Sequence, residues 1–366
     1  MLLNTLKLIN FKNYEDETIS FEPGINCIIG RNGSGKTNLM DAIHYLSMTK
    51  SAFNSIDSQN IRYENDFFSI IGTLTDNAGD HRIFCSLKKG EKKVLKYDNS
   101  EYEKLSEHIG TFPSVLITPY DSDVINGGNE IRRRFFDSMI SQIDQNYLKD
   151  LISYNHNLKQ RNSLLKYFRD NLIADHDLIM PYNQVLYDLG SKIFNRRFEF
   201  NHSFLPIFKD KYSFITENEE SVDLTYVSHF SSDDAAEQIN DSLTTDIEAQ
   251  RTMFGTHRDQ WKFVMNDHDL KKFGSQGQQK TYLISVKTAQ FDLLKKTKGF
   301  APILLLDDIF DKLDDNRIHQ LMHMLTDNQY GQIFLTDARD ARTKSILESL
   351  DLDRKMIHIN KGKITD

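Results

Sequence analysis

Gly30-Arg31-Asn32-Gly33-Ser34-Gly35-Lys36-Thr37 fits the P-loop pattern in full. Glycine at these spacings lets backbone N–H groups close on phosphate oxygens that a side chain would hold away. Lys36 is then placed to reach β and γ phosphates, and the Thr37 hydroxyl to sit on Mg²⁺. Much later in the chain, Ile303-Leu304-Leu305-Leu306 runs into Asp307-Asp308. Adjacent carboxylates at the end of an apolar strand repel one another unless a cation or solvent relieves them, so a metal is expected there. Asp307 is the candidate Mg²⁺ residue, and Asp308 is placed to orient or deprotonate an attacking water. Each piece alone has a plain structural explanation, a tight turn in one case and a solvated strand end in the other. Their co-occurrence points to triphosphate chemistry, with Lys36 and Asp308 as catalytic candidates and Thr37 and Asp307 as the metal pair. Residues 30 to 37 are the candidate nucleotide ligands.

A phosphate loop must leave a strand and open a helix, whose N-terminal dipole favours anions. Ile25 to Ile29 supplies the strand, and Asn38 to Ser47 carries Leu39, Ala42, Ile43 and Leu46 at helical spacing. Strands are also predicted over Leu2 to Ile9, Thr18 to Phe21, Phe68 to Leu74, Arg82 to Leu87 and Lys93 to Tyr97. From Glu130 to Phe168 apolar residues recur at steps of three and four, and a second such run follows Pro181. Together they predict an antiparallel helical hairpin, an arm within residues 119–250 inserted between residues 1–118 and 251–366. Ser232-Asp233-Asp234 predicts the N-cap of a further arm helix over Ala235 to Gln250. Beyond the arm, helix and strand alternate through Gln278 to Lys295, Ile303 to Leu306, Arg317 to Leu325, Gln332 to Thr336 and Met356 to Ile359. The fold class is therefore α/β with a mixed sheet and a mainly helical insert.

The chain has 366 residues, 39% hydrophobic and 27% charged, and no apolar run long enough to span a membrane. Nothing at the N-terminus directs export, so a cytoplasmic location without a membrane partner is expected. Cys27 and Cys85 are expected as buried reduced thiols. A formal net charge of −8 means that any nucleic-acid face must be local. Arg132, Arg133 and Arg134, with Lys159 and Arg161, are candidate cations near the arm, and Lys88, Lys89, Lys92 and Lys93 mark a basic hairpin. For each cluster the competing explanation is a solvated or salt-bridged face. Tyr and Phe fit core spacing, which favours phosphate-backbone recognition without sequence readout.

Gly274-Ser275-Gln276-Gly277-Gln278-Gln279 resembles the signature motif of ABC-type ATPases. By itself a Ser-x-Gly-Gln start is only an N-cap. The resemblance makes Ser275, Gly277 and Gln278 a second phosphate-binding helix start, used by a partner molecule, and Leu313-Asp314 the D-loop at the dimer seam. Several stretches are similar to the RecF family: Phe11-Lys12-Asn13-Tyr14, Arg132 to Asp137, Tyr154 with Leu158 to Leu165, Gly255-Thr256-His257-Arg258-Asp259 and Ser275 to Thr281. That resemblance implies an ABC-ATPase head with a compact arm, ATP and Mg²⁺ as cofactors, and ATP-dependent homodimerisation. It also implies weak, DNA-stimulated ATPase activity and binding to single-stranded and gapped duplex DNA. Cooperation with RecR and RecO in loading recombinase follows from it, as does a place in replication, recombinational repair and the SOS response. Some positions depart from the family pattern: Tyr120 and Asp121 where a Glu or Gln serves as the Q-loop residue, Thr256 for a proline, and Asp337 where transporters keep a switch histidine. No histidine sensor is therefore assigned. Asp308, a methylene shorter than the Glu of fast ABC-ATPases, implies slow hydrolysis. A transporter ATPase subunit would have a short head without an arm, an OLD-like nuclease a further carboxylate-rich domain, and a structural SMC-type protein long heptad arms.

Overall fold

A computed structural model describes residues 1–217, 220–310, 315–326, 330–338, 348 and 354–365. Two compact units emerge, one of Met1–Ser122, Asp210–Glu219 and Ser275–Asp366, the other of Asp123–Lys209 and Glu220–Gly274.

In the first unit β1 (Leu2–Phe11), β2 (Tyr14–Ser20), β4 (Phe67–Asp76), β5 (Gly79–Lys88), β6 (Val94–Tyr97) and β7 (Ser100–Glu101) form an antiparallel sheet in the order β2-β1-β4-β5-β6-β7. A second sheet contains β3 (Ile25–Ile29), β8 (Ser114–Ile117), β12 (Ile303–Asp307), β13 (Ile333–Asp337), β14 (Arg354–Asn360) and β15 (Lys363–Thr365). Its order is β15-β14-β3-β13-β12-β8, parallel except for the edge strand β15. Every residue of β3, β12 and β13 is buried, as parallel strands covered on both faces require. Helix α1 (Lys36–Met48) contributes Leu39, Met40, Ala42, Ile43, Tyr45 and Leu46 to one core shared by both sheets. Leu6, Leu8, Phe68 and Ile70 come to it from one sheet, Ile28, Leu305 and Phe334 from the other. The buried Gln332 amide stitches the sheets, donating to Leu3 O at 2.9 Å and accepting from Leu3 N at 2.7 Å. Cys27 and Cys85 are buried free thiols.

Helices α2 (Ser122–Asn126), α3 (Asn129–Ile143), α4 (Gln145–Asn171), α5 (His176–Thr216), α6 (Ala235–Asp241), α7 (Leu243–Ala249) and α8 (Leu270–Phe273) make the second unit largely helical. The run predicted over Glu130 to Phe168 breaks at Asp144, whose carboxylate accepts from Asn146 N and Tyr147 N and so caps a new helix. Asp175 caps α5 likewise, which places Pro181 inside that helix rather than before it. The helix predicted from Ala235 to Gln250 is two short ones, and Asp234 makes no capping bond to its backbone. The unit also holds an antiparallel sheet of β9 (Val222–Val227), β10 (Gln260–Met265) and β11 (His268–Asp269). Because β10 pairs along the length of β9, the compact unit runs on to Gly274 instead of ending at the expected residue 250. Helix α9 (Gln276–Lys298) and α10 (Asp315–Thr326) return to the first unit.

Arg197 organises the second unit. It is 2% exposed and donates to Asp137 at 2.9 Å, Asp259 at 2.6 Å, Tyr147 OH at 3.0 Å and Thr256 O at 2.8 Å. Three segments thus converge on one guanidinium, whose fork suits two carboxylates at once.

Replacing Arg197 by Ala leaves Asp137 and the fully buried Asp259 without their cation, at a cost of about 3–5 kcal/mol. An unfolding free energy from urea titration lowered by less than a third of that would assign the hub elsewhere. Acid should destabilise the chain as well. Burial pushes the imidazoles of His44 and His257 down to about 4. Between pH 6.5 and about 4 the unfolded chain takes up protons that these rings refuse, so stability falls with pH, by up to about 3 kcal/mol for each. His257→Gln should flatten that slope in denaturation curves recorded from pH 7 to 5.

Candidate functional site

The glycine loop links the buried β3 to α1, and α1 begins with no acidic residue in its first turn and no side-chain cap. Its first amides are therefore left for a ligand. Gly35, the N-cap, has φ of 119°, a conformation open to glycine, and a Cβ there would lie 2.5 Å from Asn13 Nδ2. At Gly30 a Cβ would meet Ile359 O at 2.3 Å. The loop is clasped from outside. Ser34 O accepts from Asn13 Nδ2 at 3.1 Å and from Gly362 N at 2.8 Å, while Gly35 O accepts from Tyr14 OH at 3.0 Å. Asn38 Nδ2 in turn donates to Asn13 Oδ1 at 2.7 Å.

Lys36 Nζ donates to Gly30 O at 2.7 Å and Arg31 O at 3.3 Å. Burial holds this ammonium below the usual lysine range, opposed by the carboxylates of Asp308, Asp307 and Asp337. Across the sheet edge Asp307, 2% exposed, accepts through Oδ1 from Thr37 Oγ1 at 3.1 Å and Thr336 Oγ1 at 2.7 Å. Burial pushes its carboxyl up, and the two hydroxyl bonds pull the other way. The Thr336 hydroxyl also accepts the Asp308 N–H at 3.0 Å, and Asp308 sits in the left-handed region at φ 49°. One threonine therefore orients both aspartates.

These groups fit a triphosphate and a hard divalent ion. The buried Ser34 hydroxyl has no hydrogen-bond partner, and no cluster of three His, Cys, Asp or Glu ligands exists among the described residues. Mg²⁺ suits such a pair, because it is commonly held by one or two protein oxygens, phosphates and water. Thr37 and Asp307 would be its protein ligands, supplying charge neutralisation at the phosphates.

Ser275, exposed, caps α9: its hydroxyl accepts from Gln278 N at 3.2 Å and its N–H donates to Gln278 Oε1 at 2.7 Å. Gly277 and Gln278 lie in that first turn, partly exposed. Leu313-Asp314 lies outside the described residues. Tyr120 and Asp121 form a capped turn, with Asp121 Oδ2 accepting from Thr118 N at 2.8 Å and Oδ1 lying 3.4 Å from Lys287.

Several cations proposed for nucleic acid are structural instead. Arg132 is buried and donates to Val124 O, Ile125 O and Trp261 O, satisfying carbonyls at the end of α2. Arg161 is fully buried against Asp246, Asn183 and Thr252. Arg133 donates to Asp259 O, and Lys93 is held by Asp57, Tyr45 OH and Thr49 O. Arg134, Lys159, Lys88, Lys89 and Lys92 are exposed, though Arg134 pairs with Glu130, Lys88 with Glu91 and Lys89 with Asp66. Sequence periodicity could not separate these roles, because a buried arginine on a helix looks like an exposed one. Asn13, Tyr14, Thr336 and Gly362 also build the site; the RecF-like stretch Phe11-Lys12-Asn13-Tyr14 marks the first two in the sequence, Thr336 shows there only as a strand end, and nothing local marks Gly362.

A P-loop at the carboxyl end of parallel strands, one strand away from a second strand leading to Asp-Asp, defines a nucleotide-binding ATPase head of the ABC and SMC kind. Residues 2–352 match the RecF/RecN/SMC N terminal domain model. The chain is 45% identical over 359 residues, 98% of its length and 100% of the relative's, to a DNA replication and repair protein RecF of Flavobacterium johnsoniae. It is 43% identical to the RecF protein of Phocaeicola vulgatus, over 100% of this chain and 98% of that one. It therefore belongs to the RecF family. A solved structure of the recombination mediator protein RecF-ATPrS in the RecFOR pathway superposes with a TM-score of 0.89 at 27% identity, covering 99% and 97% of the two chains. An SmcHead bound to the C-winged helix domain of ScpA shares the fold at a TM-score of 0.58 and 15% identity, over 100% and 98% of the chains.

Thr336→Val keeps the shape but removes the donor to Asp307 and the acceptor for Asp308. ATP affinity in EDTA should stay unchanged while the gain in affinity on adding Mg²⁺ shrinks about ten-fold, the worth of one buried hydrogen bond. Fluorescent-nucleotide titrations with and without Mg²⁺ read this directly, and an undiminished gain would exclude the role.

Proposed function

We propose that the chain binds Mg-ATP at residues 30–37 with Asp307, that the bound triphosphate is completed by Ser275, Gly277 and Gln278 of a second copy, and that the resulting homodimer clamps DNA. The observation that carries this reading is the exposed, self-capped start of α9, a helix N-terminus on the protein surface with no acidic residue in its first turn. Family membership supports the nucleotide, since the solved relatives include the recombination mediator protein RecF-ATP. It also supports a role in DNA replication and repair, with RecO and RecR as partners in a pathway named RecFOR and recombinase loading at single-strand gaps as the outcome.

Dimerisation works as a switch because ATP contacts both copies and ADP lacks the phosphate that bridges them. Moving an equilibrium from 1:99 to 99:1 needs about 5.5 kcal/mol of differential binding. Several charge-assisted hydrogen bonds of about 1.5–3 kcal/mol each, made at two sites, reach that value. Hydrolysis is slow and DNA-stimulated. Asp308, with the shorter side chain and its N–H tethered to Thr336, must orient water from further back than a glutamate would. DNA is held by its phosphates without sequence readout, so binding weakens steeply with salt.

Light scattering should show ATP-dependent dimers for the native chain and monomers for Lys36→Met and Ser275→Arg. A dimer that survives either change contradicts the sandwich. A turnover of tens per second would contradict the assigned role of Asp308.

A further inference from the structure

Strand β13 ends in Asp337, a carboxylate 5% exposed. It pairs with Ile29 of β3, the residue before the glycine loop, and β12 flanks β13 on the other side. Asp307 pairs with Thr336, so the same register carried on by one residue sets Asp337 beside Asp308. Neighbouring strands stand about 4.8 Å apart, which puts Asp337 roughly that far from the start of the loop and from the second aspartate. We propose that Asp337 and Asp308 hold the attacking water between them, so that hydrolysis uses a pair of short carboxylates on adjacent strands. The inference rests on the reading of Asp308 as the group that orients this water, and gives it a partner.

Side-chain direction is the first argument. Thr336 turns its hydroxyl to Asp307, which also takes the Thr37 hydroxyl, and Phe334 two residues earlier packs in the core with α1. Successive strand residues point to opposite faces, so Asp337 turns away from the metal pair. Cys27 agrees, because it shares a face of β3 with Ile29, the partner of Asp337. Burial pushes its thiol up to about 12; Arg354 opposes the rise and Asp337 adds to it. Asp308 leaves the strand in the left-handed region, its N–H tethered to Thr336, which fixes its backbone against β13. Lys36 feels both groups: burial lowers its ammonium, and Asp308, Asp307 and Asp337 oppose this in that order.

Spacing is the second argument. A water molecule held by one acceptor still turns about that bond, whereas two acceptors fix both O–H groups and aim the oxygen at phosphorus. Two hydrogen bonds of about 2.8 Å span about 5.6 Å, close to the strand separation, so one water bridges neighbouring carboxylates. The bridge also eases the repulsion between like charges so near each other. A carboxylate cannot donate to a phosphate oxygen, so Asp337 acts on the water and not on the triphosphate. In the step, the water oxygen bonds the terminal phosphorus while the bond to the ADP oxygen breaks, its electron pair leaving with ADP. One water proton passes through Asp308 to solvent, and the other stays on the phosphate.

The test compares the full native chain with Asp337→Ala, Asp337→Glu, Asp308→Ala and the double alanine variant. Single-turnover hydrolysis of Mg-ATP is measured beside affinity for ATP and for ADP with aluminium fluoride, a mimic of the phosphoryl group in transfer, and beside urea unfolding. Asp337→Ala should slow hydrolysis about a hundred-fold, the cost of a misplaced reactant, with ATP affinity within about two-fold of native. Its affinity for ADP with aluminium fluoride should fall about ten-fold, since only the mimic draws on the held water. Asp337→Glu should recover at least about a tenth of the native rate, and the double variant should be no more than about three-fold slower than the slower single one, because both groups hold one water. The proposal is overturned if Asp337→Ala hydrolyses ATP within about two-fold of native, or if the two losses multiply. A fall in ATP affinity and unfolding free energy together with the rate would overturn it too, making Asp337 a structural end to β13. Asp308→Ala at the native rate removes the underlying reading and the pair with it, whereas Asp337→Ala at the native rate removes the pair alone.

Discussion

The phosphate loop works only if its carbonyls are held outward. In a planar trans peptide the C=O of one residue and the N–H of the next point in opposite directions. Asn13 and Gly362 tie down the Ser34 carbonyl and Tyr14 ties down that of Gly35, which turns the amides of Gly35 and Lys36 toward the space a phosphate would fill. The clasp comes from the β1–β2 turn and the β14–β15 turn, far apart in sequence. This is a physical reason for the antiparallel sheet and the carboxyl-terminal hairpin to fold as one unit with the loop.

Parallel register does the same for the metal side. Asp307 pairs with Thr336, and β13, which carries Thr336, lies between β12 and β3. The strand that leads to the glycine loop and the strand that ends in the two aspartates are therefore separated by one strand whose terminal hydroxyl bonds both aspartates. A shift of β13 by one residue would turn Thr336 to the other face and disconnect the pair. In the second unit Arg197 has a comparable role, since it joins the carboxylates of Asp137 and Asp259, from segments far apart in sequence, on one guanidinium.

Local sequence carried the strands, the glycine loop and the Asp307-Asp308 end because each has its own short pattern of apolar run and punctuation. The break at Asp144 was hidden, since apolar spacing of three and four continues through it and only the cap at that aspartate ends one helix and opens the next. The sheet of β9 and β10 was hidden as well, although Val222 and Leu224, and Trp261, Phe263 and Met265, alternate as a half-buried strand should. Its pairing spans more than thirty residues of chain and leaves no local mark. Charge was the least readable: Arg132 and Arg161 share the spacing of surface cations, and only three-dimensional neighbours show that one satisfies carbonyls and the other a buried aspartate.

The central claim is that one copy's glycine loop and another copy's α9 start grip the same triphosphate. An equimolar mixture of Lys36→Met and Ser275→Arg chains tests it most directly, because pairing them rebuilds one intact composite site from two defective partners. Sedimentation with ATP should then show heterodimers carrying one nucleotide each, although neither variant dimerises alone. A mixture that stays monomeric even at concentrations about a hundred-fold above those where the native chain is dimeric, the allowance for losing one of the two sites, would contradict the shared site.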